Sequence, residues 1–452
     1  MAKKKNKVRS LRVHHPDAAG IDIGSDEHWV AVPADRAEKS VMPFRTFTSD
    51  LRRLADWLKE CGIRTVAMES TGVYWIPLYE LLEERGFEVL LVNAAHARNV
   101  PGRKSDVLDC QWLQELHTFG LLRASFRPGP RIAELRAYTR HRQTLVEEGA
   151  RQIQRMQKSL DHMNVQLHHV IADITGKTGM AVVRHIVAGQ HDPEMLAQYR
   201  DPRCRAPKEV VIEALRGHYK TEHLFTLQQA LSLYDIFATH IKECDERIEA
   251  VLGEIAVQFP ETTAPNKAPK SPARGNQIAI DVRNPLQRIF GGVDVQSLAG
   301  IGPLTALNLL SETGHDMTRW PTEKHFTSWL NFAPGTKISG GRRLSSRRRP
   351  GRNRAGLILR QAASALARTQ TALGAFYRRI AARRSKAVAI VATARKLACA
   401  FYRLLRFGGE YVERGADAAE REYQQRRLTS MKRQAKLLGF ELTQLQPVAE
   451  VT

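Results

Sequence analysis

The chain has 452 residues, enough for about two or three domains, and a formal net charge of +22 from 69 Lys and Arg against 47 Asp and Glu. Its mean hydropathy is −0.37, and no apolar run approaches the ~18 residues that cross a bilayer, which excludes a membrane-spanning protein. The positive excess predicts a nucleic-acid partner and no membrane partner. Five scattered cysteines without metal or disulfide spacing predict a reduced, cytoplasmic protein.

The first predicted segment, residues 1–17, is a flexible basic arm that lacks the apolar centre of a signal peptide. Residues 18–130 then alternate strands with helices, and Ser49 is the expected N-cap of the first helix. The predicted strands are 18–23, 28–33, 42–47, 64–68 and 87–92, and the predicted helices are 49–60, 75–85 and 106–118. Three strands followed by alternating helices and strands is the order of an α/β RNase H-like domain, a mixed sheet with helices on its faces.

Four carboxylates of this segment fall where such a domain would bring them together. Asp22 and Glu69 end short apolar runs, and Asp106 and Asp109 are one helical turn apart. The first strand, the fourth strand and the last helix converge at one edge of the sheet, and we expect the glycines beside Asp22 to leave open space there. Such acids can hold Mg²⁺, with Mn²⁺ as the other candidate, for phosphoryl transfer. The alternative is that they are solvated surface acids, which is the favoured interpretation for Asp106 and Asp109 taken alone.

Between residues 131 and 258 the apolar residues recur with the spacing of an α-helix. Two seams of apolar residues at 3-4 spacing, 153–170 and 227–255, predict a coiled-coil domain, with Asp245 interrupting the second seam. An intramolecular helical hairpin and an oligomer interface explain these seams equally well. Residues 259–289 are rich in proline and polar residues, which predicts a linker.

The last predicted domain, residues 290–442, is mostly α-helical and precedes a tail at 443–452. Its sequence LAGIGPLTALNLLSETG, from residue 298, is similar to half of a helix-hairpin-helix, in which backbone N–H groups at a helix start meet phosphate. The alternative is a plain tight turn. The helices of 357–442 carry many Arg and Lys, which predicts either a nucleic-acid surface or an ordinary solvated face.

The most basic stretch of the chain precedes these helices. Between residues 337 and 354 it has eight cations and no acid, so it has little to pack against and repels itself unless a polyanion binds. The residues predicted to contact nucleic acid are Lys104, Lys337, Arg342, Arg343, Arg347, Arg348, Arg349, Arg352 and Arg354.

Several stretches of the sequence resemble those of a known protein family. GIDIGSDEHWVAV, MESTGVYWIPLYELLEERGFEVLLVNAAHARNVPGRKSDVLD, LAGIGPLTALNLLSE and KAVAIVATARKLACAFYRLLR are similar to the DEDD transposases of the insertion-sequence-110 family, in particular its 1111 subgroup. The resemblance implies a RuvC-like RNase H domain, a coiled coil and a C-terminal transposase domain. It places the DEDD acids on Asp22, Glu69, Asp106 and Asp109.

The resemblance also implies a catalytic serine, which NFAPGTKISGG places at Ser339, with Ser345 and Ser346 as lesser candidates. Here Asn-Phe-Ala-Pro replaces the usual Ala-Gly-Leu-x-Pro, so the local match is looser. Arginines and Mg²⁺ would stabilise the charge that develops when this hydroxyl attacks a phosphate, and glycines at 340 and 341 would let the backbone approach the DNA.

The implied activity is a transposase or recombinase that cleaves and exchanges DNA strands through a serine–DNA intermediate with Mg²⁺. The family implies a structured bridge RNA that pairs with donor and target DNA, and dimers that form tetramers on DNA in the bacterial cytoplasm. The first alternative is a hydrolytic RuvC-like nuclease or junction resolvase, and the second is a non-catalytic nucleic-acid-packaging protein.

Overall fold

The computed structural model describes residues 12–70, 72–93, 106–261, 278, 280–345 and 353–443. The chain divides into two compact units, residues 1–127 and 128–452. The other residues of the predicted arm, linker and tail, and residues 94–105, lie outside the described residues. Within the described part, no helix is long and apolar enough to cross a membrane.

The first unit contains a five-stranded sheet in the order β3-β2-β1-β4-β5. Strands β1, β2 and β3 are antiparallel neighbours, whereas β4 is parallel to both β1 and β5. The strands are β1 (Ala18–Ile23), β2 (Glu27–Ala31), β3 (Val41–Arg45), β4 (Thr65–Glu69) and β5 (Glu88–Val92). The described helices are α1 (Thr48–Glu60), α2 (Trp75–Glu84) and α3 (Asp106–Thr118). This mixed order confirms the predicted RNase H-like arrangement, with boundaries that move by one or two residues.

Both faces of β1 are covered. Ala19, Ile21 and Ile23 pack into the core that α1 and α2 complete. On the opposite face the backbone of α3 lies so close that a Cβ on Gly20 would be 2.3 Å from the Cys110 carbonyl oxygen and from the Gln114 nitrogen. The expectation that glycine leaves open space here is therefore wrong for Gly20, because its missing side chain is what lets α3 pack on the strand.

The start of α1 also differs from the prediction. The helix begins at Thr48 and its N-cap is Phe47, without a side-chain cap. Ser49 lies inside the first turn, where the amides of Asp50 and Leu51 both donate to the Phe47 carbonyl. The predicted ends hold, since Gly62 and Gly86 follow α1 and α2 with φ of 69° and 84°, values that glycine adopts without steric cost.

Two long helices dominate the first half of the second unit. They are α4 (Pro130–His162) and α9 (Thr221–Val257), and they pack against each other. Between them lie α5 (Leu167–Val170), α6 (Lys177–Val187), α7 (Pro193–Ala197) and α8 (Lys208–Ala214). Arg142 bonds Asp245 and Ser159 bonds Thr226, so the helices run antiparallel as an intramolecular hairpin.

The predicted seams are only partly continuous. Helix α4 ends at His162, and Asn164 has a φ of 56°, so the seam over 153–170 is not one helical stripe. Its later members pack instead in a core with the short helices. In the second seam Ala238 is exposed. Asp245 does not simply interrupt the seam, because it is buried and accepts two hydrogen bonds from Arg142, Nε–Oδ1 at 2.5 Å and Nη2–Oδ2 at 3.3 Å.

The second half of this unit is helical apart from one hairpin of strands. Its helices are α10 (Arg283–Ile289), α11 (Pro303–Thr313), α12 (Glu323–Trp329), α13 (Arg354–Ala365), α14 (Ala372–Arg383), α15 (Lys386–Phe407) and α16 (Gly409–Leu437). The strands are β6 (Lys337–Ser339) and β7 (Arg342–Ser345). Helix α10 lies in the segment predicted as linker. Arg136 of α4 donates to the carbonyls of Ser311 and Glu312 at the end of α11, which joins the long hairpin to the C-terminal helices.

Candidate active site

Four carboxylates line one pocket of the first unit, with a volume of about 260 Å³. Asp22 is the penultimate residue of β1, Glu69 is the last residue of its parallel neighbour β4, and Asp106 begins α3. Parallel strands end at the same edge of a sheet, and α3 packs on β1 through Gly20. One helical turn separates Asp106 from Asp109, so both side chains reach the pocket.

The electrostatics of the pocket follow from this crowding. Burial, together with the negative charges of Glu69, Asp106 and Asp109, raises the pKa of Asp22 from 3.8 to about 6. A hydrogen bond from the Ile23 backbone opposes the rise. The pocket thus holds more negative charge than its surroundings neutralise, a condition that a bound cation would relieve.

A fifth carboxylate, Glu27, and two tryptophans also line this pocket. Glu27 accepts a hydrogen bond from Nε1 of Trp29, at 2.9 Å, and Trp29 is the antiparallel partner of Asp22. The sequence reasoning missed these residues. The signal was available in the tight β1–β2 connection, where Gly24 lies so close that its Cβ would be 2.4 Å from the Glu27 carbonyl oxygen.

The chemistry of this donor set fits a hard divalent cation, because carboxylate oxygens are the ligands that Mg²⁺ and Mn²⁺ take. The positions of the side chains fit a metal ion less well than their chemistry does. Among the residues that the structure describes, no group of three or more His, Cys, Asp or Glu is arranged so that it could hold a metal ion. The fit therefore rests on the type of ligand and on the raised pKa of Asp22.

Ser339 lies in the second unit, at the tip of an exposed β-hairpin. It is the last residue of β6 and pairs with Arg342, the first residue of β7. Gly340 and Gly341 connect them with φ of 55° and 75°, the backbone of a two-residue hairpin turn. The basic stretch is thus partly a hairpin, and its two glycines are required by the turn itself.

The predicted nucleic-acid residues are partly described. Lys337, Arg342, Arg343 and Arg354 are exposed, and in the described part of the chain none forms an ion pair. Ser345 pairs with Lys337 across the hairpin. Outside the described residues lie Lys104, Ser346, Arg347, Arg348, Arg349 and Arg352.

Several cations of the C-terminal helices serve the fold. Arg403 donates to both carboxylate oxygens of Glu323, at 2.5 and 2.9 Å. Arg378 donates to the carbonyls of Ala367 and Thr369. These contacts favour the ordinary helix-surface interpretation for these two arginines over a nucleic-acid surface.

Comparison with known families gives two matches. A family model described as a transposase, the DEDD domain of IS110, matches residues 19–165. A second, described as a transposase of the IS116/IS110/IS902 family, matches residues 294–378. No curated protein is significantly similar to the chain. The first match contains the four pocket carboxylates, and the second contains the hairpin with Ser339.

Proposed function

The chain belongs to the IS110 family of transposases, enzymes that act on DNA, and from this premise we propose that it recombines DNA through a covalent bond to Ser339. The observation that carries the proposal is the group of carboxylates around one pocket of an RNase H-like domain, Asp22, Glu69, Asp106 and Asp109. Ser339 is exposed and pairs across the hairpin with Arg342, which forms no ion pair in the described part of the chain, and this supports the covalent route.

In the proposed reaction the Ser339 hydroxyl attacks a DNA phosphorus. A serine–phosphorus bond forms, the bond to one strand oxygen breaks, the serine proton leaves and the departing strand ends in a hydroxyl. A second strand hydroxyl then attacks the phosphoserine and releases the serine. One phosphodiester replaces another at each step, so strand exchange needs no external energy source.

The cations of the hairpin have a specific task in this chemistry. Arg342 lies directly across the strands from Ser339, and Arg343 follows it. Fixed positive charges next to the nucleophile stabilise the extra negative charge of the transition state more than that of the starting phosphate. A serine in an uncharged hairpin would lack this stabilisation.

The acids have the complementary task. Asp22, Glu69, Asp106 and Asp109 would hold Mg²⁺, or Mn²⁺ in its place, which when bound stabilises attacking and leaving oxygens at phosphorus. The acids belong to the first unit and the serine to the second, so the proposal requires that the two units cooperate in one subunit or between subunits.

A bridge RNA that selects donor and target DNA, and a dimer that forms a tetramer on DNA, are further parts of the proposal. They are supported by the motifs shared with the family and by the net charge of +22. Sequencing of RNA that copurifies with the protein tests the guide. Light scattering with and without nucleic acid tests assembly, and a monomer under both conditions would contradict it.

The decisive experiment follows the covalent adduct. Wild-type protein incubated with labelled DNA and Mg²⁺ should leave label on the protein after denaturation, and mass spectrometry should find it on Ser339. Ser339→Ala should abolish the adduct and reduce cleavage at least ~10²-fold, since it removes the nucleophile, yet should bind DNA normally because no charge changes. Ser345→Ala is the matched control and should retain both. Cleavage without any adduct would instead support the hydrolytic nuclease.

A further inference from the structure

A second pocket lies on the helical hairpin of the second unit and shares no residue with the acidic pocket or the serine hairpin. Its volume is about 340 Å³, and it is formed where the last turns of α4 meet the first turns of α9. The polar side chains that matter here are Arg155, Lys158, Ser159, His162, His223 and Thr226. The mechanism above uses none of them.

The walls of this pocket are held by contacts between the two helices. Ser159 Oγ and Thr226 Oγ1 are 3.0 Å apart, and the rings of His162 and His223 have centroids 5.0 Å apart. Arg155 Nη1 donates to the buried Gln152 side chain at 3.3 Å. The guanidinium is therefore oriented by a neutral partner that leaves its charge uncompensated.

The charge of the pocket differs from that of the rest of the hairpin. No Asp or Glu lines it, and in the described part of the chain neither Arg155 nor Lys158 forms a salt bridge. Other arginines of this region are matched with acids, such as Arg142 with Asp245 and Arg184 with Asp235. Two cations one helical turn apart repel each other, and a bound anion would remove that repulsion.

We propose that this pocket binds the phosphodiester backbone of a nucleic acid, with Arg155 and Lys158 as the charged contacts and the two histidines as further hydrogen-bonding groups. The hydroxyls of Ser159 and Thr226 already donate to the carbonyls of Arg155 and His223, so they shape the wall. Phosphate oxygens accept hydrogen bonds from arginine, lysine and histidine side chains. The ligand class follows from the chain's action on DNA together with its net charge of +22. DNA and RNA share this backbone, so the experiment includes both.

The test compares two double variants of the full chain. Arg155→Gln with Lys158→Gln removes the pocket charges. Lys242→Gln with Arg247→Gln removes the same charge from exposed positions of α9, which lie about 24 and about 32 Å along the helix from Thr226 at ~1.5 Å per residue. Fluorescence anisotropy measures the affinity of each for a labelled duplex DNA and a labelled single-stranded RNA over a range of NaCl concentrations.

The pocket variant should bind the nucleic acid more weakly than the wild type, and its affinity should depend less steeply on the salt concentration. The slope of log K against log salt should fall by about 1.8 for duplex DNA or about 1.4 for single-stranded RNA, since each lost contact removes about 0.9 or about 0.7. The control variant should keep the wild-type slope. The probe whose slope falls identifies the nucleic acid, and equal slopes for both variants with both probes would overturn the proposal.

A second measurement needs no substitution. An amine-acylating reagent applied to the wild-type protein, followed by peptide mass spectrometry, should label Lys158 several-fold less when the probe is bound, while Lys242 is labelled equally. Unchanged labelling of Lys158 with either probe would overturn the proposal. Failure here leaves the adduct experiment on Ser339 unaffected, because these residues belong to neither the acidic pocket nor the serine hairpin.

Discussion

The pKa of Asp22 reflects the groups that surround this side chain. Asp22 is a partly buried carboxylate beside three others, and the resulting pKa of about 6 lies well above the 3.8 of a free side chain. The folded chain therefore holds a proton on Asp22 more tightly than the unfolded chain does. By linkage, this group favours the folded state below pH 3.8, and the contribution is lost as the pH rises through about 6.

The corresponding prediction is that Asp22→Asn stabilises the cation-free protein at pH 7, because it removes an unfavourable charge. After allowance for solvent screening we expect about 1–2 kcal/mol, and the gain should vanish towards pH 4. Thermal unfolding of both proteins across this pH range measures it. Mg²⁺ should raise the midpoint of the wild type more than that of the variant, since a cation that binds only the folded state stabilises it.

The exposed Glu60 of α1 provides the control for this prediction, because Glu60→Gln removes one negative charge from the same unit away from the pocket. Its pH dependence should follow the wild type. An Asp22→Asn variant no more stable than the wild type at pH 7 would show that the four carboxylates are not crowded in solution.

At the level of elements, the hairpin of α4 and α9 depends on one buried ion pair. The side chains of Arg142 and Asp245 are only 4% and 5% exposed, so each needs the other as its partner. A charge at an apolar seam position excludes most other alignments of the helices, since any shift would bury an unpaired charge. We infer that this pair fixes the register of the hairpin.

Asp245→Ala should therefore destabilise the second unit by about 3–5 kcal/mol, the usual cost of leaving a buried charge without its partner. Urea unfolding followed by circular dichroism measures the loss. Asp235→Ala is the matched control, because Asp235 is also on α9 and pairs with Arg184 of α6 through side chains that are 41% and 50% exposed. Its loss should cost under about 1 kcal/mol. Equal losses for the two variants would contradict the role of burial.

At the scale of the whole molecule, positive charge is concentrated where nucleic acid is expected. The run from Lys337 to Arg354 has eight cations and no acid, whereas cations elsewhere in the described residues are often paired, as with Arg403 and Glu323. A polyanion such as DNA holds condensed counterions around its phosphates, and cations of the protein that contact those phosphates release the counterions, which drives binding.

Replacement of Arg347, Arg348 and Arg349 together by Ala should weaken DNA binding and lower its salt slope by about 2.7, or about 0.9 for each duplex phosphate contact. The control replaces Arg216, Lys242 and Arg247 by Ala, an equal loss of charge from exposed positions outside the basic stretch, and should leave the slope nearly unchanged. Titrations in increasing NaCl measure both. Identical slopes would show that affinity depends on net charge alone.

The sequence by itself determined the chain order of the strands, the ends of α1 and α2 at glycines, and the placement of the four acids on β1, on β4 and in the first turn of α3. These features are local, because apolar period, glycine conformation and spacing within one helical turn depend on neighbours in the chain. Few sheet topologies are compatible with this order of strands and helices along the chain, which is why the fold class could be predicted.

Only the tertiary structure decided the features that depend on distant residues. It brought the α3 backbone against Gly20, added Glu27 and Trp29 to the acidic pocket, gave Asp245 its partner 103 residues away, and folded the segment after His162 back into a core of short helices. A close backbone approach, a pocket wall and a buried ion pair each require two segments whose meeting no local pattern encodes. The physical reason is that each of these features consists of contacts between two distant segments, and such contacts exist only once the chain has folded and packed.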